Sequence, residues 1–587
     1  MRASDVLTQS DAVRRVIQVV FICGFLITAG CPTNTDAPAD TTGTNATGTK
    51  AVRQWFTEIT SHIGLDFTHE SGAKGDLLLP EIMLSGAALF DYDNDGDLDI
   101  YLTNGNYELP EARVAESPVN RMYRQEADGS FVDVTEESGL GDGGYGMGVA
   151  VGDIDNDGDL DVYATNYGRD RLYRNRGNGT FEDVTDAAGI TVDGWSSSAA
   201  FFDYDRDGWL DLYVARYLDF NNFDHCYDDA GRPVYCGPKS FPPIPDVLLH
   251  NNGDGTFSDV SETAGMASVA AAGLGVVCED LNNDGWQDVY VANDGHANQL
   301  WLNQTDGTFR DVALIMGVAL NVDGQAEAGM GVIAADLDND AGIDLFMTHL
   351  AGETNTLYRH RGGSGGFEDA SGASGLGSTS IAYTGFGIAA FDAELDGDLD
   401  ILVVNGRVMR TDPRPGATIG PPWDRYAEPN LFYLNDGHSS FELSHDPVAA
   451  LCAPIEVSRG LAIGDIDGDG DLDLLISNIQ GPARLYRNDA PRRGNWLMIR
   501  AIDPQLKRDA IGARVSVFID GRQIVRTIGS GFSYLSSSDS QAHFGLGPAT
   551  RIERIEVRWP NGLQERFPGA PADQALEIVR GMGEVMP

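Results

Sequence analysis

Short apolar stretches and acidic loops alternate along this chain at a fixed beat. The unit is clearest between 146 and 185. Residues 146–152 (Gly-Met-Gly-Val-Ala-Val-Gly) are small and apolar, and an acidic loop follows at 153–161. Val-Tyr-Ala-Thr-Asn then runs over 162–166, Arg-Leu-Tyr-Arg-Asn over 171–175, and Thr-Phe-Glu-Asp-Val-Thr over 180–185 after a Gly-Asn-Gly turn. Apolar runs of this length bounded by Gly and Asn read as strands. Asn-Gly or Asp-Gly between two of them reads as a hairpin, because these residues tolerate positive φ. The turn recurs as Asp254-Gly255, Asp306-Gly307 and Asp436-Gly437. Four short antiparallel strands per unit describe one blade of a β-propeller. Small residues sit where an innermost strand would crowd the axis: Gly273 and Gly275, Gly329 and Gly331, Gly385 and Gly387, and Ser198 to Ala200.

The seventh unit runs through Arg-Leu-Tyr-Arg-Asn at 484–488 and then lacks its fourth strand. A matching stretch, Phe-Thr-Glu-Ile-Thr, lies at 56–60. The N-terminal strand is therefore expected to complete the last blade and remove exposed sheet edges. The fold expected is all-β. A seven-bladed propeller with Ca-binding loops and N-terminal strand closure spans 51–490, and a small β-rich domain spans 491–587. In that domain apolar residues alternate over 496–499, 515–518 and 552–557.

The loop between the first two strands of each unit follows Asp-x-Asp-x-Asp-Gly-x-x-Asp. The candidate ligands of the first are Asp91, Asp93, Asp95, Asp97 and Asp99; of the second, Asp153, Asp155, Asp157, Asp159 and Asp161; of the third, Asp203, Asp205, Asp207, Trp209 and Asp211. The fourth offers Asp280, Asn282, Asp284, Trp286 and Asp288, and the fifth Asp336, Asp338, Asp340 and Asp344. The sixth offers Asp392, Glu394, Asp396, Asp398 and Asp400, and the seventh Asp465, Asp467, Asp469, Asp471 and Asp473. Positions 1, 3, 5 and 9 supply side-chain oxygens, position 7 a backbone carbonyl, and the glycine at 6 permits the bend. Hard Ca²⁺ fits such a set, up to seven ions; thiolate- or imidazole-seeking metals do not suit all-oxygen sites. In the fifth loop Ala341 replaces the glycine, which shifts to Gly342, so that site is expected to be the weakest. The ions are expected to brace hairpins rather than touch a partner.

Charge sharpens this picture. The 587 residues carry 89 acidic against 40 basic groups, a net charge of −49, yet 42% are hydrophobic. That hydrophobic share and the fixed offsets of the acids exclude a disordered acidic chain. The imbalance also argues against nucleic-acid binding, which needs clustered Lys and Arg. At the N-terminus, Arg14 and Arg15 precede an apolar run over 16–30, too short for a comfortable membrane span. It ends Ala29-Gly30-Cys31. Residues 1–30 read as an export signal, with lipidation of Cys31 as in a bacterial lipobox; ordinary secretion and a retained anchor are the alternatives. Residues 31–50 are polar and low in complexity, as a flexible tether would be. Membrane contact is expected only through a lipid anchor. Cys226 and Cys236 bracket one loop and could bridge in an oxidising compartment, while Cys278 reads as a buried thiol.

The repeats resemble the FG-GAP repeats of integrin α-chain propellers, with Phe386-Gly387 leading to Asp392 a recognisable copy. The tail resembles the ASPIC/UnbV domain at 495–500, 508–515, 531–535, 543–547 and 557–562. The combination is similar to the cartilage acidic protein family and its bacterial relatives, which the insertion holding Cys226 and Cys236 also resembles. The resemblance implies a secreted calcium-binding protein with no established reaction, and an adhesion or matrix role in the animal members.

Chain direction places the long insertions at about 104–119, 217–247 and 405–429 on the face opposite the acidic loops. They carry Tyr217, His225, Tyr227, Tyr235, Lys239 and Phe241, and Arg407, Arg410, Arg414 and Trp423. Such residues either form a binding surface or pack over the ring. The function expected is a cell-surface or secreted binding or adhesion module for an extracellular glycan, matrix or protein partner. The alternatives are a polysaccharide-active enzyme with its site on that face, or a scaffold of an envelope complex. No catalytic motif accompanies His543, which is expected to be packed or hydrogen-bonded.

Overall fold

The computed structural model describes residues 53–107, 117–221, 225–363 and 365–586. The expected export signal, Cys31, the tether and most of the first insertion lie outside the described residues. Seven antiparallel sheets of four strands follow one another along the chain. Their inner strands are Ala87–Phe90, Tyr145–Gly152, Ser196–Phe202, Gly273–Glu279, Val332–Ala335, Gly385–Phe391 and Ser458–Gly464. In the second sheet the remaining strands are Asp161–Tyr167, Arg171–Asn175 and Phe181–Asp183. The fourth strand of the seventh sheet is Phe56–Glu58, with Phe56 opposite Asn488 and Glu58 opposite Tyr486.

Each inner strand lies against the next, and that of the seventh sheet against that of the first. This crowding explains the small residues. A Cβ on Gly275 would stand 2.4 Å from the Met330 carbonyl oxygen, and one on Gly331 2.2 Å from that of Phe386. Hydroxyls in or just after the second strands reach across the same gaps. Thr165 donates to the Ser197 carbonyl at 2.6 Å, and Thr348 to that of Phe386 at 2.9 Å. Apolar clusters fill the spaces between neighbouring sheets. The chain is an all-β propeller.

The tail forms two further sheets. In one, Asn495–Asp503 pairs with Ala542–Gly547 and, in parallel, with Gln574–Val579. The other is built on Arg514–Ile519, Arg522–Thr527, Arg554–Arg558 and Gln564–Pro568. Tail and ring form one compact unit. The connection over 528–541 leaves the tail and enters the centre of the ring. Ser533 exchanges both backbone hydrogen bonds with Val332, and the Leu89 amide donates to the Ser537 carbonyl. The Val149 amide donates to the Leu535 carbonyl. Ser198, Ile388, Leu461 and Ile463 bond Leu535, Ser533, Ser536 and Ser538. The first, second, third, fifth, sixth and seventh inner strands thus all bind this segment. It takes up backbone groups that an open channel would leave to water.

The insertions meet the far end of the plug. Tyr217, Phe241 and Trp423 are buried in one apolar cluster with Met83, Phe386, Tyr534 and Leu535. They pack over the ring rather than standing out as a binding surface. Arg407 and Arg414 both pair with buried Glu428, at 2.7 and 3.0 Å. Tyr227, His225 and Lys239 remain exposed.

Candidate metal centres

All seven acidic loops share one wiring. The first aspartate accepts the amide of position 6, as in Gly96 to Asp91 (3.0 Å) and Gly158 to Asp153 (2.9 Å). The ninth gives one oxygen to the amide of position 2 and the other to the third strand. Asp99 holds Tyr92 and Gln125, Asp161 holds Ile154 and Asn175, and Asp473 holds Ile466 and Asn488. Position 6 is left-handed throughout, with φ of 96° at Gly96 and 91° at Gly470. So is position 4, for instance Asn94 (59°), Asn156 (56°) and Arg206 (63°).

That geometry turns carboxylates toward one another. Oxygens of Asp91, Asp93 and Asp99 lie within 4.8 Å of each other, as do those of Asp153, Asp155 and Asp161, of Asp203, Asp205 and Asp211, and of Asp336, Asp338 and Asp340. One oxygen each of Asp93, Asp155 and Asp203 is buried without a hydrogen-bond partner. Burial, with neighbouring acids adding, pushes the carboxyls of Asp99, Asp344 and Asp392 up to about 8. Asp465 is pushed to about 7 and Asp153 to about 6. Crowded acids that pay this penalty alone are relieved by a cation bound among them. An all-oxygen set with irregular geometry and buried lone pairs fits Ca²⁺.

Three features were not read from the sequence. In the fifth loop the bend does not shift to Gly342. Ala341 itself takes φ 68°, and its amide still bonds Asp336 at 3.1 Å. Holding the loop's hydrogen bonds outweighs the strain of about 1–2 kcal/mol that a Cβ costs there. Next, position 4 links neighbouring loops. Asn94 donates to Asp159 (2.7 Å), Asn156 to the Gly208 carbonyl (3.1 Å), Arg206 to the Gly285 carbonyl, and Asn339 to Asp398 (2.8 Å). Finally, tail arginines sit on the loops. Arg558 pairs with Asp280, Arg493 with Glu394 (2.8 Å) and Arg492 with Asp471 (3.0 Å). Arg508 donates to Asn156 at 2.8 Å. The spacing of these arginines in the sequence gives no sign of the loops they meet.

His543 lies 2.9 Å from the Gly470 carbonyl and is buried, which pushes its imidazole down to about 4. It is a packed group on the seventh loop. Cys226 and Cys236 form a disulfide. Burial pushes the Cys278 thiol well up.

A polar cleft of about 590 Å³ opens between the first two sheets, on the face away from the loops. Asn166, Tyr167, Arg169, Arg171, Asp183 and Asp193 line it, over a floor that includes Gly143 and Gly144. Asn166 is buried, and its side-chain oxygen has no hydrogen-bond partner.

The FG-GAP-like repeat family matches residues 91–164, 154–214, 245–291 and 280–347, and the ASPIC and UnbV family matches 503–585. This chain carries FG-GAP-like repeats and a C-terminal ASPIC and UnbV domain. It is 26% identical over 348 residues to cartilage acidic protein 1 of Xenopus tropicalis, covering 57% of this chain and 40% of that protein. The human protein of that name is 25% identical over 347 residues, with the same coverage. The FG-GAP repeat chain thus spans well under half the length of these relatives. Among solved structures it is similar to a lectin of Agrocybe aegerita (TM-score 0.37, 17% identity, 63% of this chain and 84% of that one). It is also similar to the BP39L lectin of Burkholderia pseudomallei (0.40, 11%, 70% and 97%). Among the described residues, no helix is long and apolar enough to cross a membrane.

Proposed function

We propose that this protein is an exported, calcium-braced binding module that recognises a glycan through the cleft between its first two sheets. The observation that carries the calcium half is the sevenfold loop, with buried carboxyls crowded around free lone pairs. The loops lie under the tail, so the ions act as braces between ring and tail rather than as a recognition surface. The axis is unavailable to a partner, being filled by 531–538 and covered by the insertions. Recognition then falls to the blade edges. The cleft offers what a polyhydroxylated ring needs: charged groups of both signs, tyrosine edges and a glycine-rich floor, with the buried Asn166 amide in its wall. Buried polar groups of this kind favour ligands that return their hydrogen bonds.

The test is a glycan array probed with the metal-loaded protein, repeated with Asn166→Leu and Arg171→Ala. Binding lost in both variants at unchanged melting temperature supports the reading. An array without ligands, or variants that bind equally well, overturns the cleft as the site. Turnover of a bound polysaccharide would favour an enzyme instead.

A further inference from the structure

The third loop differs from the other six in its donor set. The next-to-last residue of each sheet's third strand lies beside the acidic loop. It is Arg124, Arg174, Arg359 and Arg487 in the first, second, fifth and seventh sheets, and Leu302 and Leu434 in the fourth and sixth. In the third sheet it is His250. Its Nδ1 lies 3.1 Å from Asp211 and 3.5 Å from Asp205. One ligand atom from each of Asp205, Asp207 and His250 lies within 4.8 Å of the others.

A second, independent difference points the same way. In the other six loops the first aspartate's Oδ1 accepts the amide of position 5, as in Asp95 to Asp91 (3.2 Å) and Asp396 to Asp392 (3.0 Å). In the third, the Asp207 amide turns to Asp205 instead (3.2 Å). Asp203 Oδ1 is left buried and unpartnered beside the cluster. The loop has given up an internal hydrogen bond and freed a lone pair on Asp203, which clusters with Asp205 and Asp211, while Asp205 also clusters with Asp207 and His250.

We propose that the third loop is a mixed carboxylate–imidazole centre for a divalent transition ion of the zinc class, formed by Asp203, Asp205, Asp207 and His250. Imidazole nitrogen favours such ions, whereas Ca²⁺ takes oxygen ligands. Asp211, which also accepts the Asn251 amide at 2.9 Å, meets the same Nδ1 that faces Asp205, so a bound ion would take the place of that contact. This rests on the reading of the loops as cation sites and assigns one of them to a different ion.

The probe is Co²⁺ added to the metal-stripped full chain in excess Ca²⁺. One equivalent is expected to bind, with the visible absorption of a nitrogen-containing site. His250→Arg, the residue four other sheets carry, is expected to weaken that binding by on the order of a hundredfold and leave Ca²⁺ uptake elsewhere intact. His250→Gln provides a second variant should the first fold poorly. Zinc-edge anomalous diffraction on the unaltered chain locates the ion without any variant. Ca²⁺ bound but no Co²⁺ retained overturns the proposal and leaves the calcium reading standing. Co²⁺ bound equally by His250→Arg, or a zinc peak away from His250, also overturns it. No uptake of either ion overturns both.

Discussion

Asn175, at the end of the second sheet's third strand, donates its side-chain amide to the carbonyl of Tyr92 in the first sheet's acidic loop, at 2.7 Å. The same reach recurs round the ring. Asn251 bonds Ile154, Asn303 bonds Tyr204, Asn435 bonds Leu337, Asn488 bonds Ala393, and Gln125 of the first sheet bonds Ile466 of the seventh. Each staple joins a blade to the loop of the blade before it, so acidic loop and blade packing are one network. Asn175→Ala leaves the buried Tyr92 carbonyl unsatisfied and should cost about 1–3 kcal/mol. Chemical denaturation monitored by tryptophan fluorescence measures it.

One position breaks the series. His360 stands where the fifth sheet should reach the Leu281 carbonyl, and its buried Nε2 has no partner. His360→Asn is expected to restore the missing staple and raise stability by about 1 kcal/mol. A fall in the denaturation midpoint would refute it.

Ala341 supplies a second stabilising change. It is the non-glycine at loop position 6, held at φ 68°. Ala341→Gly should gain about 1 kcal/mol by relieving a left-handed Cβ, less the entropy glycine adds to the unfolded chain. The gain should appear with and without Ca²⁺, since it belongs to the backbone.

Much of this was legible in the sequence because turn chemistry is local. Asp-Gly and Asn-Gly turns mark the strand ends, and the acidic loop fixes the register of each unit. Phe56 could be matched to the seventh sheet because the Phe-x-x-x-Thr pattern was missing there. What was not legible depends on partners far away in the chain. Residues 528–541 are rich in Gly and Ser, and their hydroxyls and amides answer inner strands from 75 to 337 residues away. Asn175 and Asn488 were visible as the ends of repeated strands, but only the ring shows that they cross to another blade. For Tyr217 and Trp423 the sequence left recognition and packing over the ring equally open, because either role suits aromatic residues on loops. They are instead the cover of a filled channel.

Ion removal should give the protein an unusual pH profile. Asp99, Asp344 and Asp392 are raised to about 8 in the folded ring, against about 3.9 when unfolded. A raised pKa lends stability that is complete below the unfolded value and lost as pH rises through the folded one. Stripped of divalent ions, the protein should therefore lose melting temperature between pH 6.5 and 8.5. Below pH 6.5 the fall becomes shallower, two histidines offsetting part of the carboxyl effect. Burial holds His69 and His349 down to about 3, so the unfolded state takes up their protons first. Saturating Ca²⁺ should flatten the upper limb by replacing protons as the countercharge. Melting curves across this range, with and without Ca²⁺, measure both slopes, and a stripped protein that gains stability toward pH 8.5 would contradict the loop electrostatics.

The plug makes tail and ring interdependent. Tyr534 lies fully buried at its tip. Its hydroxyl donates to the Met83 carbonyl at 2.6 Å, and its ring meets Phe386 edge-on at 4.9 Å between centroids. The Arg459 guanidinium stacks 3.7 Å above the Phe386 ring and donates to the carbonyls of Ile82 and Gly406. Tyr534→Ala removes an aromatic anchor from a site with no room to collapse and should cost about 3–5 kcal/mol. Tyr534→Phe keeps the packing and loses only the hydroxyl bond, for about 1 kcal/mol. If the plug is what holds the tail on the loops, the alanine variant should also release the tail arginines. Limited proteolysis would then cut near 490–495 in Tyr534→Ala but not in Tyr534→Phe. Equal protection of that junction in both variants would mean that the arginine contacts alone hold the tail in place.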